Sequence, residues 1–277
     1  AALGYLLISG AAFATVRSYI MISIAFIAIL LDRPALAMRN IAIAALIILA
    51  LFPESLLDVG FQMSFAAVVA LVAAYEWLAR RSEEREPRYR GLLMRPVMLL
   101  GGIAVSTFVA GFAVAPFAAY HFHTSQQFAV IANLIAIPIC NLIVMPAALL
   151  TLVLMPFGLE APALWLMGQG IEAMTWCARY AANLPGAVGR IAAVPHAAFL
   201  LMVAGGLWLC LWSTRWRLAG LGVIALGAAG STTPDLPDVL AGRDGSLVAV
   251  RGSDGLLSAA GGRKSDFELK RWMEHDG

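Results

Sequence analysis

Charge is what this sequence has least of. Only 13% of its 277 residues are Asp, Glu, Lys or Arg, 61% are hydrophobic, and the mean hydropathy is +0.83. Soluble domains carry about 25% charged residues, so the composition is that of a membrane protein. Cysteine is also scarce. Cys140, Cys177 and Cys210 lie far apart in apolar segments without metal-ligand spacing, and they read as buried free thiols. The His121-Phe122-His123 pair has no carboxylate or further histidine near it and reads as part of a solvated loop rather than a metal site. No Ser/His/Asp or His/Glu set is spaced for hydrolysis. We therefore assign no catalytic residue, metal or cofactor, and read the chain as a non-enzyme. No signal or transit peptide is visible. The chain opens Ala1-Ala2-Leu3, already inside an apolar run and without Met, and is expected to be a piece of a longer protein.

Long apolar runs are what the sequence has instead. A membrane span needs about 20 mainly apolar residues at ~1.5 Å each. Residues 1–230 hold several such runs and are expected to form a transmembrane helical domain. Residues 231–277 hold none and are expected to begin a soluble one. The first run, Gly4 to Leu31, is too long for one untilted span and too short for two. Arg17-Ser18 interrupts it. Arg17 either snorkels from a helix end or offers a fixed positive charge to an anion such as phosphate. Asp32-Arg33-Pro34 ends the run, and a span from about Ala37 to Phe52 follows, with Arg39 and Asn40 in its first turn.

The stretch Asp58-Val59-Gly60-Phe61-Gln62-Met63-Ser64-Phe65 is the polar break around which the rest is arranged. Asp58 is expected to cap the next helix and Gly60 to permit a backbone turn that other residues resist. Gln62 and Ser64 then enter an apolar helix expected from Phe61 to about Leu78. Polar groups there face the protein interior or a wet path, or simply bind helix to helix. The loop from Arg80 to Arg95 holds Arg80, Arg81, Arg85, Arg88, Arg90 and Arg95 against Glu83, Glu84 and Glu86. Arginine-rich loops stay cytoplasmic and anchor at anionic lipid heads.

Pro96 to Tyr120 is the next span, and an outer turn is expected at 121–127. Asn133-Leu-Ile-Ala-Ile-Pro138 then recurs as Asn141-Leu-Ile-Val-Met-Pro146. Each proline removes a backbone N–H and collides with the carbonyl four residues earlier. The segment is expected to be a kinked packing helix or a broken, re-entrant pair lining a cavity, with the asparagines free to bond the released carbonyls. From Pro162 to Leu184, Gln169, Glu172, Thr175, Arg179 and Asn183 recur at helical spacing. That stripe lies in the membrane interface or faces a wet channel. Two further spans follow, Ala197 to Trp212 and Leu218 to Gly230, joined by the basic, aromatic anchor Ser213 to Arg217. Gly220, Gly222, Gly227 and Gly230 are expected to let helices approach closely.

Sidedness is consistent along the chain. Arg33, Arg39, the 80–95 loop, Arg215 and Arg217 fall on one side, expected to be cytoplasmic. Glu54, Asp58, the 121–127 turn and the tail fall on the other. In the tail, Val239 to Val250 reads as a hairpin turning at Asp244-Gly245, with a second turn at Asp254-Gly255. Ser265-Asp-Phe-Glu268 reads as a capping box opening a short helix. So small a fold needs residues beyond Gly277. The expected class is an α-helical polytopic membrane protein. It is a multi-helix bundle with a broken or re-entrant helix pair, an interfacial amphipathic helix and a small incomplete α/β tail.

These residues resemble the competence family of membrane DNA-uptake channels (ComEC-type). The resemblance covers roughly residues 1–230. It is carried by Arg17-Ser18 with Met21, by Asp32-Arg33, by Asp58 to Phe65, and by Asn133-Leu134 with Pro138 and Pro146. Met63 stands where the family usually has Leu, a volume-conserving departure. The resemblance implies passage of single-stranded DNA across a bacterial inner membrane, with the lipid bilayer and other DNA-uptake machinery as partners. Family members usually carry a metallo-β-lactamase-like domain after the channel. The tail lacks that domain's usual Asp-Val-Gly-Gln-Gly-Asp opening, and no His-x-His-x-Asp-His is present. On this reading Arg17, Gln62, Ser64, Asn133, Asn141 and Arg179 are candidates to line the path, with Glu54 and Asp58 at the outer mouth or as helix caps. A secondary transporter of a small solute and a non-transporting scaffold stand as alternatives.

Overall fold

A computed structural model describes residues 2–10, 12–83, 94–126, 128–191, 193–231, 238–241, 247–252, 257–261 and 272. The chain is a polytopic helical membrane protein. Among the described residues, four helices are long and apolar enough to cross a bilayer: Phe13–Leu30, Val59–Arg80, Met98–Phe122 and Ala129–Phe157. Met38–Leu51 and His196–Leu211 are shorter apolar helices. Their large side chains point outward in numbers no soluble protein tolerates; Leu30, Leu46 and Leu142 are each at least 70% exposed.

The chain divides into two compact units, one of residues 1–86, 112–123 and 190–277, the other of residues 87–111 and 124–189. In the first unit, α1 (Ala2–Ile8) leads into α2 (Phe13–Leu30). The break in the first apolar run falls at Ser9-Gly10, where Gly10 has φ +69°. It does not fall at Arg17, which sits in the second turn of α2. Only glycine takes that left-handed conformation at little cost, so Gly10 rather than the charge ends the helix.

Helix α3 (Met38–Leu51) and helix α4 (Val59–Glu83) are joined by a 3-10 turn, Pro53–Leu57. Ile41, Ala44 and Ile48 recur at helical spacing and meet Phe61, Phe65 and Val72 of α4, with Ile20, Met21 and Ile24 of α2 packed alongside. The far ends of α3 and α4 are tied by the Met38 N–H donating to Glu76 Oε1 at 3.2 Å; Asn40 ties α3 to the preceding loop through the Pro34 and Ala35 carbonyls.

Helix α5 (Met94–Phe122) runs past Pro116. Its last turns pack Phe117 and Ala119 against Val194, Ala198 and Phe199 at the start of α9 (His196–Leu211), with Met63 and Ala66 of α4. After a 3-10 turn at Arg215–Leu218, α10 (Ala219–Gly230) returns antiparallel along α9. Backbone meets backbone there. A Cβ built on Gly205 would lie 2.7 Å from the Gly220 carbonyl oxygen, and one on Gly220 2.6 Å from that of Gly205. Gly227 sits as tightly on the Ala198 carbonyl. Gly222 faces open space and Gly230 makes only ordinary contact, so two of the four expected glycines form the seam and Gly205 supplies its other side.

The second unit holds α6 (Ala129–Ile139), a π turn (Cys140–Val144), α7 (Met145–Leu154) and α8 (Ala161–Ala182). The expected break between Pro138 and Pro146 is a widened turn inside one continuous helical run, not a severed pair. The Met145 N–H reaches back five residues to the Cys140 carbonyl, so the turn spreads where the Pro146 ring needs room. Helix α8 buries Ala163, Gly170 and Cys177, one position in seven, against this run. A Cβ on Gly170 would lie 2.7 Å from Val144 Cγ2, so glycine is what lets α8 sit over the π turn. The polar residues Gln169, Glu172, Thr175, Arg179 and Asn183 are exposed on the opposite face. Strands β1 (Thr124–Gln126) and β2 (Val188–Arg190) pair.

The tail forms an antiparallel meander of β3 (Val239–Ala241), β4 (Leu247–Arg251) and β5 (Leu257–Gly261). Val239 faces Val250, and Leu247 and Ala249 are buried on one side of β4, as period-two alternation requires. The two expected Asp-Gly turns, most of the Arg80–Arg95 loop and the expected terminal helix, Trp272 apart, lie outside the described residues.

Candidate functional site

Pro53 starts the 3-10 turn after α3 and leaves Asp58 extended at φ −71°, ψ 123°, immediately before α4. Asp58 Oδ1 accepts the Phe61 N–H at 2.7 Å, the capping bond expected from its position. Gly60 has no left-handed φ. The expectation that it permits an unusual turn is therefore wrong; it lies in the first turn of α4, and its use is spatial. A Cβ on Gly60 would stand 3.0 Å from Asp58 Oδ1 and 3.6 Å from Arg17 Nη1.

Arg17 projects from α2 onto this cap. Its side chain is 12% exposed, and Nη1 lies 3.8 Å from Asp58 Oδ1, whose side chain is 47% exposed. The guanidinium carbon lies 5.9 Å from the centre of the Phe13 ring one turn earlier, within cation–π range. A positive charge among apolar spans is thus balanced by a carboxylate on the next polar break in the chain. Half exposure of that carboxylate keeps the attraction modest.

One turn into α4, Gln62 bridges two elements. Its Nε2 donates to the Leu56 carbonyl at 2.9 Å, and its Oε1 lies 3.0 Å from His121 Nε2. The carbonyl only accepts, which fixes the amide orientation and requires the Nε2 nitrogen of His121 to carry the proton and donate. His121 is half-buried in the last turn of α5, not in a solvated loop as expected. Its neighbour Tyr120 stacks on Phe199 with ring centres 4.3 Å apart and bonds His196 Nδ1 through its hydroxyl at 3.0 Å. Two polar contacts therefore clamp the end of α5 to α4 and α9. Ser55, in the linking turn, is almost fully buried, and among the described residues its Oγ has no hydrogen-bond partner.

Of the expected site residues, the structure thus brings together Arg17, Asp58 and Gln62. Ser64 is half-buried two residues after Gln62, about 200° around α4, so the two do not share a face. Glu54 is exposed in the linking turn. Asn133, Asn141 and Arg179 belong to the second unit. Asn133 is half-buried in α6, while Asn141 in the π turn and Arg179 on α8 are exposed. Tyr120 and His196 were missed in the sequence, and His121 was read there as a loop residue. Their one signal was position, Tyr120 and His121 closing one apolar run and His196 opening another, on the side assigned to Asp58. The three cysteines are free; Cys177 is buried and Cys140 and Cys210 half-buried. Among the described residues, no group of three His, Cys, Asp or Glu side chains is placed to hold a metal ion.

Bilayer-length apolar helices define a multi-pass membrane protein, and here polar side chains gather at the start of one of them. A family model described as Competence protein matches residues 1–216, and the chain belongs to that family. Its role is accordingly in competence, the uptake of DNA. No curated protein and no solved structure matches it.

Proposed function

We propose that the protein is an inner-membrane channel that conducts single-stranded DNA into the cytoplasm during natural transformation. Residues 1–230 form the channel, and residues 231–277 begin a soluble extracytoplasmic domain. The observation that carries this reading is the low-exposure Arg17 guanidinium held at a polar break between apolar spans, in a chain of the competence family. A translocated polyanion needs sparse positive charge along a wet path, without deep binding that would trap it. Arg17 paired loosely with Asp58 fits that need. Gln62 acts chiefly as a tether between α4 and α5, and Ser64, Asn133, Asn141 and Arg179 are further lining candidates. Glu54 and Asp58 stand at the outer mouth.

Orientation follows from charge. Within the first unit, the helix directions put Arg33, Arg39, Arg80, Arg215 and Arg217 at the helix ends opposite Asp58 and His121. Arginine-rich ends stay cytoplasmic, so the Asp58 end and the tail that follows α10 lie outside. The stripe on α8 fits either the membrane interface or a wet surface.

Uptake of labelled DNA by cells expressing the protein tests the reading. Arg17→Ala and Ser64→Leu should lower uptake while leaving protein level and membrane insertion unchanged. Normal uptake by both variants at wild-type protein level would assign these residues to packing alone and favour a scaffold. A saturable small-solute flux independent of DNA would favour a secondary transporter.

A further inference from the structure

We propose that Asp58 is a built-in placeholder for phosphate at Arg17, and that the phosphodiester of an entering strand takes over the guanidinium from it. The inference rests on the conduit reading and deepens it by assigning Arg17 a ligand class and Asp58 a regulating role. Arg17 is mostly buried, yet among the described residues its guanidinium makes no hydrogen bond. The nearest carboxylate oxygen is 3.8 Å away, beyond hydrogen-bond distance, and that same oxygen is already engaged by the Phe61 N–H at 2.7 Å. The charge is neutralised, and among the described residues none of the five donors of its planar fork is engaged by a hydrogen bond. That fork matches the oxygens of a phosphodiester two at a time.

Gly60 keeps a side chain away from both terminal nitrogens; a Cβ there would lie 3.6 and 3.9 Å from them and 3.0 Å from Asp58 Oδ1. The half-exposed Asp58 marks the open side of the pair. The carboxylate need not leave when phosphate arrives. It keeps its bond to the Phe61 N–H and gives up only the long contact to Arg17, so the α4 cap survives each passage. Its remaining repulsion weakens phosphate binding, which is what a conduit requires if the strand is to move on.

The test uses the full chain in lipid nanodiscs at low salt. The probes are fluorescent oligodeoxythymidylate, the same oligomer with neutral methylphosphonate linkages, and inorganic phosphate as competitor. Asp58→Asn keeps a capping side chain and removes the charge. It should tighten oligomer binding by about fivefold, the effect of one partly exposed ion pair. Asp58→Ser, a second capping residue, should behave alike. The gain should vanish in an Arg17→Ala background and be absent with the methylphosphonate oligomer, and phosphate should compete. Unchanged or weaker binding by both Asp58 variants overturns the placeholder, as does an equal gain without Arg17. If Arg17→Ala loses oligomer binding while the Asp58 variants are neutral, the conduit reading stands and the placeholder falls. If Arg17→Ala binds normally, both fall.

Discussion

Replacing Gly220 with alanine should separate α10 from α9, whereas the same change at Gly222, two residues on, should not. The added Cβ at 220 would lie 2.6 Å from the Gly205 carbonyl oxygen and 2.9 Å from the Leu209 backbone nitrogen. Both obstacles are backbone, so no rotamer change relieves them, and the helices must part by roughly 1 Å to reach an ordinary C···O separation of about 3.3–3.6 Å. Overpacking of this kind costs about 1–3 kcal/mol. Around Gly222 nothing lies within 4 Å of the added Cβ. There the alanine brings only its helix propensity, up to about 1 kcal/mol in favour of the helix. Gly→Ala gains that propensity at both sites, so the two variants should differ by the clash cost, about 1–3 kcal/mol, with Gly220→Ala the less stable. The assay is thermal unfolding of the purified protein in one detergent at one scan rate, followed by the fluorescence of Trp208, Trp212 and Trp216 at the end of α9 and in the turn that follows it. Gly205→Ala should resemble Gly220→Ala, and the two together should cost less than their sum, because parting the helices once relieves both clashes. If Gly220→Ala melts no lower than Gly222→Ala, the close backbone approach is wrong.

Other outcomes follow from the same geometry. Gly170→Val should loosen α8 from the π turn and lower thermal stability by an amount typical of overpacking, about 1–3 kcal/mol, whereas Gly168→Ala, in open space, should be neutral; equal effects would refute the role given to Gly170. With Cys140, Cys177 and Cys210 replaced by alanine, an impermeant thiol reagent added to intact cells should label Thr124→Cys and spare Ser213→Cys, and the reverse pattern would invert the topology. The purified protein should hold no stoichiometric zinc, since a hydrolytic site needs about three converging protein ligands and His275 is the only histidine of the tail; zinc lost on His275→Ala would contradict this.

The spans were legible in the sequence because lipid leaves the backbone no other way to satisfy its hydrogen bonds. Asp58 was legible as a cap because capping is a local matter of one side chain and the N–H three residues on. The Arg17–Asp58 and Gln62–His121 pairs were not, since each joins helices remote in sequence, the second across 59 positions. His121 looked like a loop residue because a polar group at the end of an apolar run reads as solvent-facing. The prolines announced lost backbone bonds between 133 and 146 but not the form of repair, and the π turn is one of several. Gly60 carries no mark in sequence that separates a glycine needed for φ from one needed for space.

The proposed function is conduction of a single strand past a positively charged polar break. Proteoliposomes containing the purified protein test it most directly, by following whether external labelled single-stranded DNA becomes resistant to added nuclease under an imposed membrane potential. The account predicts protection that depends on the protein, exceeds that of duplex DNA of equal length and falls with Arg17→Ala. No protection in liposomes that carry correctly inserted protein, or protection equal for single-stranded and duplex DNA and indifferent to Arg17, would contradict it.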